Sequence, residues 1–246
     1  DFNIDPLGYW RGNDAANRKG ITEIYHVMGY FDYWDALISR HPGLLIDSCA
    51  SGGRRNDLET MRRAVPLLRS DYYSTPEGQQ CHTYGLAFWL PFQGTGFIGQ
   101  VSEYWARSSW VAELTFGPGQ GQDIETTIDW DQMRRVAAQW RQLAPYFYGD
   151  FYPLTDYTTS TSVWMAWQYN LPDAGKGAVQ VFRRNNAAEP QRTFQLKGLD
   201  SQAFYTLTNL DVPGEVTRSG SQLMSEGLTV PLADQPGSAI IIYERR

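Results

Sequence analysis

The stretch LLIDSCASGGRRND, residues 44–57, runs from three apolar residues into a carboxylate, a thiol, two glycines and two arginines. Asp47 and Cys49 are two apart, so in an extended strand they share a face while Ile46 and Ser48 take the other. Gly52 and Gly53 let a backbone approach a ligand closely and offer it amide donors. Arg54 or Arg55 could pair with an acid or hold a hydroxyl. A second stretch, LLRSDYYSTPEGQQ at 67–80, puts Asp71 at the end of an apolar run, and DFN opens the sequence with Asp1. Two carboxylates facing one pocket suit glycoside cleavage, in which one attacks or activates water and the other donates a proton. With 27 acidic residues, spacing alone does not select Asp1 and Asp71. The alternative reading of Cys49 is a small buried hydrophobe. A nucleophilic thiol is disfavoured, since His82 is the one downstream histidine and no third group stands by to orient it.

Elements must position these residues. Apolar residues recur at helical spacing from Lys19 to His41, and Pro42-Gly43 stops them. Leu44–Asp47 reads as a short buried strand. Asn56 reads as the cap of a helix from Asp57 to about Val65, with acids early and arginines late. A strand from Pro66 leads to Asp71, and Thr75-Pro76-Glu77 starts a helix with proline at its first position. Gly85–Phe92 and Ala112–Phe116 are strand-like, with a long loop between them at 94–110 that holds about one helical turn. An amphipathic helix covers Ile128–Tyr146. Residues 5–14 read as a loop, either a rim of the pocket or a connection.

Strand alternating with helix signals parallel β/α units, of which about four strands are visible, half of an eight-stranded barrel. Past Gly149 the pattern changes to short strand-like runs at 162–169, 177–183, 192–196, 203–209, 215–218 and 238–244. Turn residues separate them, as in an antiparallel sandwich. The fold class is therefore α/β plus all-β: the C-terminal half of a (β/α)8 TIM barrel over 1–149, then a small antiparallel β-sandwich over 150–246.

Composition narrows the partners. Net charge is −6, so nothing marks a nucleic-acid surface, and no apolar run is long enough to span a membrane. Aromatic residues reach 14%, including 9 Trp and 15 Tyr, enough to fill cores and to stack on a sugar face. Trp89, Trp105 and Trp110 are candidates for either use. The contexts of Cys49 and Cys81 argue against a structural disulfide, and no histidine has ligands at metal spacing, so neither a metal nor another cofactor is expected.

The three motifs together resemble glycoside hydrolase family 36, the retaining α-galactosidases. In that family a Lys-Trp-Asp-x-Asn motif carries the nucleophile after the fourth barrel strand. A Cys-x-Ser/Gly-Gly-Gly motif contacts galactose after the fifth, and the acid/base Asp follows the sixth. Asp1-Phe2-Asn3, Asp47–Asp57 and Leu67–Gln80 are similar in content and spacing, and YGDFYPL at 148–154 resembles the family's passage into its C-terminal sandwich. The resemblance implies that Asp1 is the nucleophile and Asp71 the acid/base, with Asn3, Asp47, Cys49, Ser51, Gly52, Gly53 and Arg54 placing an α-galactoside oligosaccharide. Retention implies carboxyl groups about 5–5.5 Å apart.

Two departures matter. AFWLPFQGTG at 87–96 differs from the serine- and methionine-containing seventh-strand segment of familiar members, which bears on the leaving-group side. The Lys and Trp of the nucleophile motif, the first four strands and the family's N-terminal β-domain are not in this sequence. The expectation is a fragment with little activity alone, whose open sheet edge pairs with the N-terminal part of the same enzyme. An α-N-acetylgalactosaminidase, an α-galactosyl transferase or an inactive sugar-binding scaffold are the alternatives. Loop 97–110 is a candidate homo-oligomer interface.

Overall fold

The computed structural model describes residues 4–49, 52–72, 74–97, 102–116 and 129–246. The chain divides into two compact units, 1–71 and 72–246.

The first unit is built on two helices and one bridge. The segment 5–14, expected as a loop, contains helix α1, Leu7–Asn13. Helix α2, Ile21–Arg40, matches the helical spacing read from 19 to 41. Its start is fixed by Asp14, whose carboxylate accepts from the Gly20 amide (2.6 Å), the Thr22 amide (3.1 Å) and the Thr22 hydroxyl (2.6 Å). These bonds, led by the Thr22 hydroxyl, hold the Asp14 carboxyl below its usual range. The third helix, α3, is Leu58–Met61 rather than 57–65, and its cap is Asp57 rather than Asn56. Asp57 wins because its carboxylate reaches the Thr60 amide at 2.9 Å, whereas Asn56 is committed to the Arg69 carbonyl at 3.1 Å. The expected strands at 44–47 and from 66 meet in a single parallel bridge, Asp47 with Val65. Leu45, expected to be buried there, is 78% exposed, since one bridge makes no sheet face to cover it.

The second unit joins a helical segment to a sheet. Helix α4, Pro76–Leu86, starts where the Thr-Pro-Glu signal placed it, the Thr75 hydroxyl accepting from Gly78 N at 3.1 Å. It extends into the run expected as a strand at 85–92. The strand, β1, instead lies at Gly94–Phe97, inside the expected loop, and pairs in parallel with β2, Glu113–Phe116. Helix α5, Glu103–Ser108, connects them, and α6, Trp130–Leu143, follows with Val136 and Leu143 buried. Parallel pairing thus occurs twice among the described residues, once as the isolated Asp47–Val65 bridge and once as the two-stranded β1–β2 sheet.

The six strands expected after Gly149 are all present within a residue or two. They are β4 (Trp164–Leu171), β5 (Lys176–Arg183), β6 (Gln191–Phe194), β7 (Phe204–Asn209), β8 (Glu215–Ser219) and β10 (Gly237–Arg245). Three elements went unread: β3 (Asp150–Pro153), helix α7 (Gly220–Ser225) and β9 (Leu228–Pro231). An antiparallel sheet has the order β3-β4-β5-β10-β7-β8, and β6 pairs with β9. Both faces of the sheet are buried at its central strands β4, β5 and β10, while the edge strand β8 is largely exposed. Met165, Trp167 and Phe182 pack with Trp110, Val136 and Leu143 of the helical segment. Trp164, Ala166 and Val181 point the other way, onto Phe194, Leu223 and Val230. Trp110 is therefore core rather than a stacking platform.

Three arginines that sequence would place at the surface are interior clamps. Arg107 of α5 donates to both Asp211 oxygens (2.8 and 2.5 Å) and to Gln139 (3.0 Å). Arg184 donates to Gln80 and to the carbonyls of Thr158 and Ser160. Arg183 ties the turn after β5 to Leu232 and Ala233. Each satisfies its charge with several acceptors, the condition for burying a guanidinium.

Candidate active site

The turn after the 44–48 strand is built around its two glycines. Val65 N donates to Ile46 O (2.9 Å) and Ser48 N to Val65 O (2.8 Å), which sets the pleat. Ser48 faces inward and is buried, while Asp47 and Cys49 are exposed on the opposite face, as alternation requires. Gly52 and Gly53 both have positive φ, +70° and +88°. A Cβ on Gly52 would lie 3.0 Å from the Asp71 amide nitrogen and 3.3 Å from its Cγ. A Cβ on Gly53 would collide with the Arg69 carbonyl oxygen and stand 2.8 Å from Asn56 Nδ2. Only glycine meets both demands, conformational and steric. The turn therefore lies directly on the 69–71 backbone and carries Asp71 beside Cys49.

Electrostatics agree with that proximity. The Cys49 thiol is pushed up, first by partial desolvation and then by the negative charges of Asp71 and Asp47. A thiol held protonated by desolvation and two nearby carboxylates is a weak nucleophile and a serviceable hydrogen-bond donor. Asp47 is already engaged: its Oδ1 accepts from the Leu67 amide at 3.0 Å, joining the two strand ends. The two arginines separate. Arg55 lies over the Tyr30 ring, 5.3 Å from its centroid, and works against the burial that raises the Tyr30 hydroxyl. Arg54 is exposed, and among the described residues it makes no hydrogen bond or ion pair, so its guanidinium can take a ligand.

Of the sequence-expected site residues, the structure brings together Asp47, Cys49, Gly52, Gly53 and Asp71, with Arg54 on the same turn. Asp1, Asn3 and Ser51 lie outside the described residues. Asn56, read as a helix cap, is in fact the clamp that fixes Arg69 against Gly53; its only sequence signal is an amide side chain just after a glycine turn. Both cysteines are free. Among the described residues no group of three or more His, Cys, Asp or Glu side chains could hold a metal ion.

The fold defines a mixed α/β chain whose larger sheet is antiparallel and buried on both faces at its centre. Residues 164–243 match the model of the glycosyl hydrolase family 36 C-terminal domain. A probable alpha-galactosidase C of Aspergillus terreus is 23% identical over 255 residues, covering 93% of this chain and 32% of that protein. Alpha-galactosidase 1 of Pediococcus pentosaceus is 24% identical over 226 residues, covering 87% and 30%. A variant of the GH36 alpha-galactosidase AgaA from Geobacillus stearothermophilus, solved in complex with raffinose, superposes with TM-score 0.77 at 19% identity over 95% of this chain and 33% of that one. The match to the glycosyl hydrolase family 36 C-terminal domain is confined to 164–243, and the relatives that extend beyond it are named as alpha-galactosidases. The chain spans about a third of the length of these curated relatives.

Proposed function

We propose that the chain is the C-terminal part of a retaining α-galactosidase that removes terminal α-D-galactosyl residues by double displacement. In this reading Asp1 attacks the anomeric carbon and forms a covalent glycosyl-enzyme. Asp71 protonates the departing glycosidic oxygen, then takes a proton from the water that releases galactose, with net retention. Cys49, the Gly52 and Gly53 amides and Arg54 hold the galactosyl hydroxyls, Asn3 and Ser51 assist, and Asp47 fixes the strand ends beneath them. The observation that carries the reading is the approach of Gly52 to Asp71, 3.0–3.3 Å from a would-be Cβ, which sets a proton donor against a glycine turn.

Residues 1–149 would then supply the C-terminal half of a (β/α)8 barrel and 150–246 the sandwich. The parallel pairings at Asp47–Val65 and β1–β2 support this, as do Met28, Leu44 and Leu45, exposed apolar residues suited to burial by the rest of the barrel. The partner is the N-terminal part of the same enzyme, and the names of relatives three times longer favour an α-galactoside as substrate.

The test is a matched assay in an enzyme of the relatives' length, with wild type, Asp1→Asn and Asp71→Asn given 4-nitrophenyl α-galactoside with and without azide. The reading requires an Asp1→Asn enzyme that is inactive and yields β-galactosyl azide when rescued. Full activity in both variants refutes it.

A further inference from the structure

The second unit holds a cleft of about 400 Å³ beside the first two turns of α4 and the loop 157–161, built from residues that the turn at 47–53 does not use. Two aromatic rings in its wall are fixed yet open. The Tyr72 ring lies on Gly78, where a Cβ would come within 2.5 Å of the ring's Cε1, so α4 keeps a helix-weakening residue under the ring. Tyr157 stands edge-on to Tyr84, with centroids 5.6 Å apart at 61°, and Tyr84 is anchored by donating to Thr155 O at 2.9 Å. The fully buried Arg184 holds the loop by donating to the carbonyls of Thr158 (2.7 Å) and Ser160 (2.8 Å). Even so, Tyr72 is 57% and Tyr157 54% exposed. Rings immobilised in advance lose little freedom when a ligand stacks on them.

The polar groups between the rings define the ligand. Glu77 accepts from the Tyr104 hydroxyl through Oε1 at 3.0 Å, which leaves Oε2 to accept from a ligand hydroxyl. The exposed Thr159 hydroxyl and the His82 imidazole complete the wall. No Lys or Arg lines the cleft among the described residues, and Arg184 behind its wall spends its donors on Gln80, Thr158, Ser160 and Cys81, so the Glu77 carboxylate disfavours phosphates and other anions. Apolar ring faces with hydroxyls and an acceptor suit a neutral, polyhydroxylated ring.

We infer that this cleft is a carbohydrate-binding site for one pyranose ring, with Tyr157 and Tyr72 as stacking surfaces and Glu77 Oε2 as hydroxyl acceptor. The choice of galactosides as probes rests on the function proposed above; the cleft itself does not.

Amide-resolved NMR titration of the whole chain with methyl α-galactoside and methyl α-glucoside tests it. Saturable shifts are expected at 75–82 and 155–161. Tyr157→Ala should raise Kd roughly five- to tenfold, Tyr157→Phe should preserve it, and Asp71→Asn should leave it unchanged. Glu77→Gln, which keeps the shape of the wall, should also raise Kd. Absence of saturable shifts at the cleft with either sugar, or an unchanged Kd in both Tyr157→Ala and Glu77→Gln, overturns the inference. Shifts confined to 47–53 and lost in Asp71→Asn would overturn the cleft and leave the proposed reaction standing. Cleft binding together with an enzyme that hydrolyses no α-galactoside would uphold the cleft and refute the reaction.

Discussion

Replacing Gly53 by alanine tests the contact on which the candidate site depends. Two costs are expected. A residue with a Cβ at φ +88° occupies the left-handed region, which disfavours alanine by about 1–2 kcal/mol. The new methyl also meets the Arg69 carbonyl oxygen and sits 2.8 Å from Asn56 Nδ2, so backbone 69–71 must yield. Overpacking of that kind costs about 1–3 kcal/mol, for a total of about 2–5. Gly20→Ala is the internal control, because Gly20 has φ +97° and nothing within 4 Å of its would-be Cβ; it should lose only about 1–2 kcal/mol. Hydrogen exchange at the Ser48 and Val65 amides, which bridge the two strand ends, reads the difference within the first unit. Gly53→Ala should exchange there at least about fivefold faster than Gly20→Ala, the factor for the lower bound of about 1 kcal/mol on the overpacking cost. Equal effects in the two variants would refute the close approach of the glycine turn to Arg69 and Asp71.

Asp211→Ala removes the bidentate partner of the buried Arg107 guanidinium and leaves it Gln139, Ser238 and the more distant Glu103; a loss of about 3 kcal/mol is expected in thermal or urea unfolding, and a loss under about 1 kcal/mol would count against the clamp. Asp47→Ala removes the acceptor for Leu67 N and should cost about 1 kcal/mol, seen as faster exchange at Leu67 while α6 amides stay protected. Asp35 and Glu59 are held low chiefly by Arg63, Asp14 by Thr22, and Asp57 by Thr60 against the opposing effect of burial. All four bind protons less readily folded than unfolded. Their contribution is therefore complete above the ordinary carboxylate values near 4 and is lost as pH falls through the depressed ones. Exchange in the first unit should accelerate over that window, and a first unit with no acid sensitivity there would contradict the assignment.

What sequence alone determined is what local chemistry decides. Helices α2 and α6 follow from apolar spacing, the start of α4 from Thr75-Pro76, and six sandwich strands from short runs cut by turn residues, because each depends on neighbours a few positions away. Alternation alone put Asp47 and Cys49 on one face and Ser48 on the other. The apolar run at 85–92 misled because a short run fits helix or strand equally; the packing of α4 and the pairing of β1 with β2 resolve it. Choosing Asp57 over Asn56 as cap required knowing that Arg69 O takes the Asn56 amide. The burial of Arg107, Arg183 and Arg184 was unreadable, since their acceptors lie up to 131 residues away. The same holds at the candidate site. Two glycines after a thiol are visible in the sequence, but that they exist to let residues 52–53 lie against 69–71 is a long-range steric fact, and only the tertiary structure decided it.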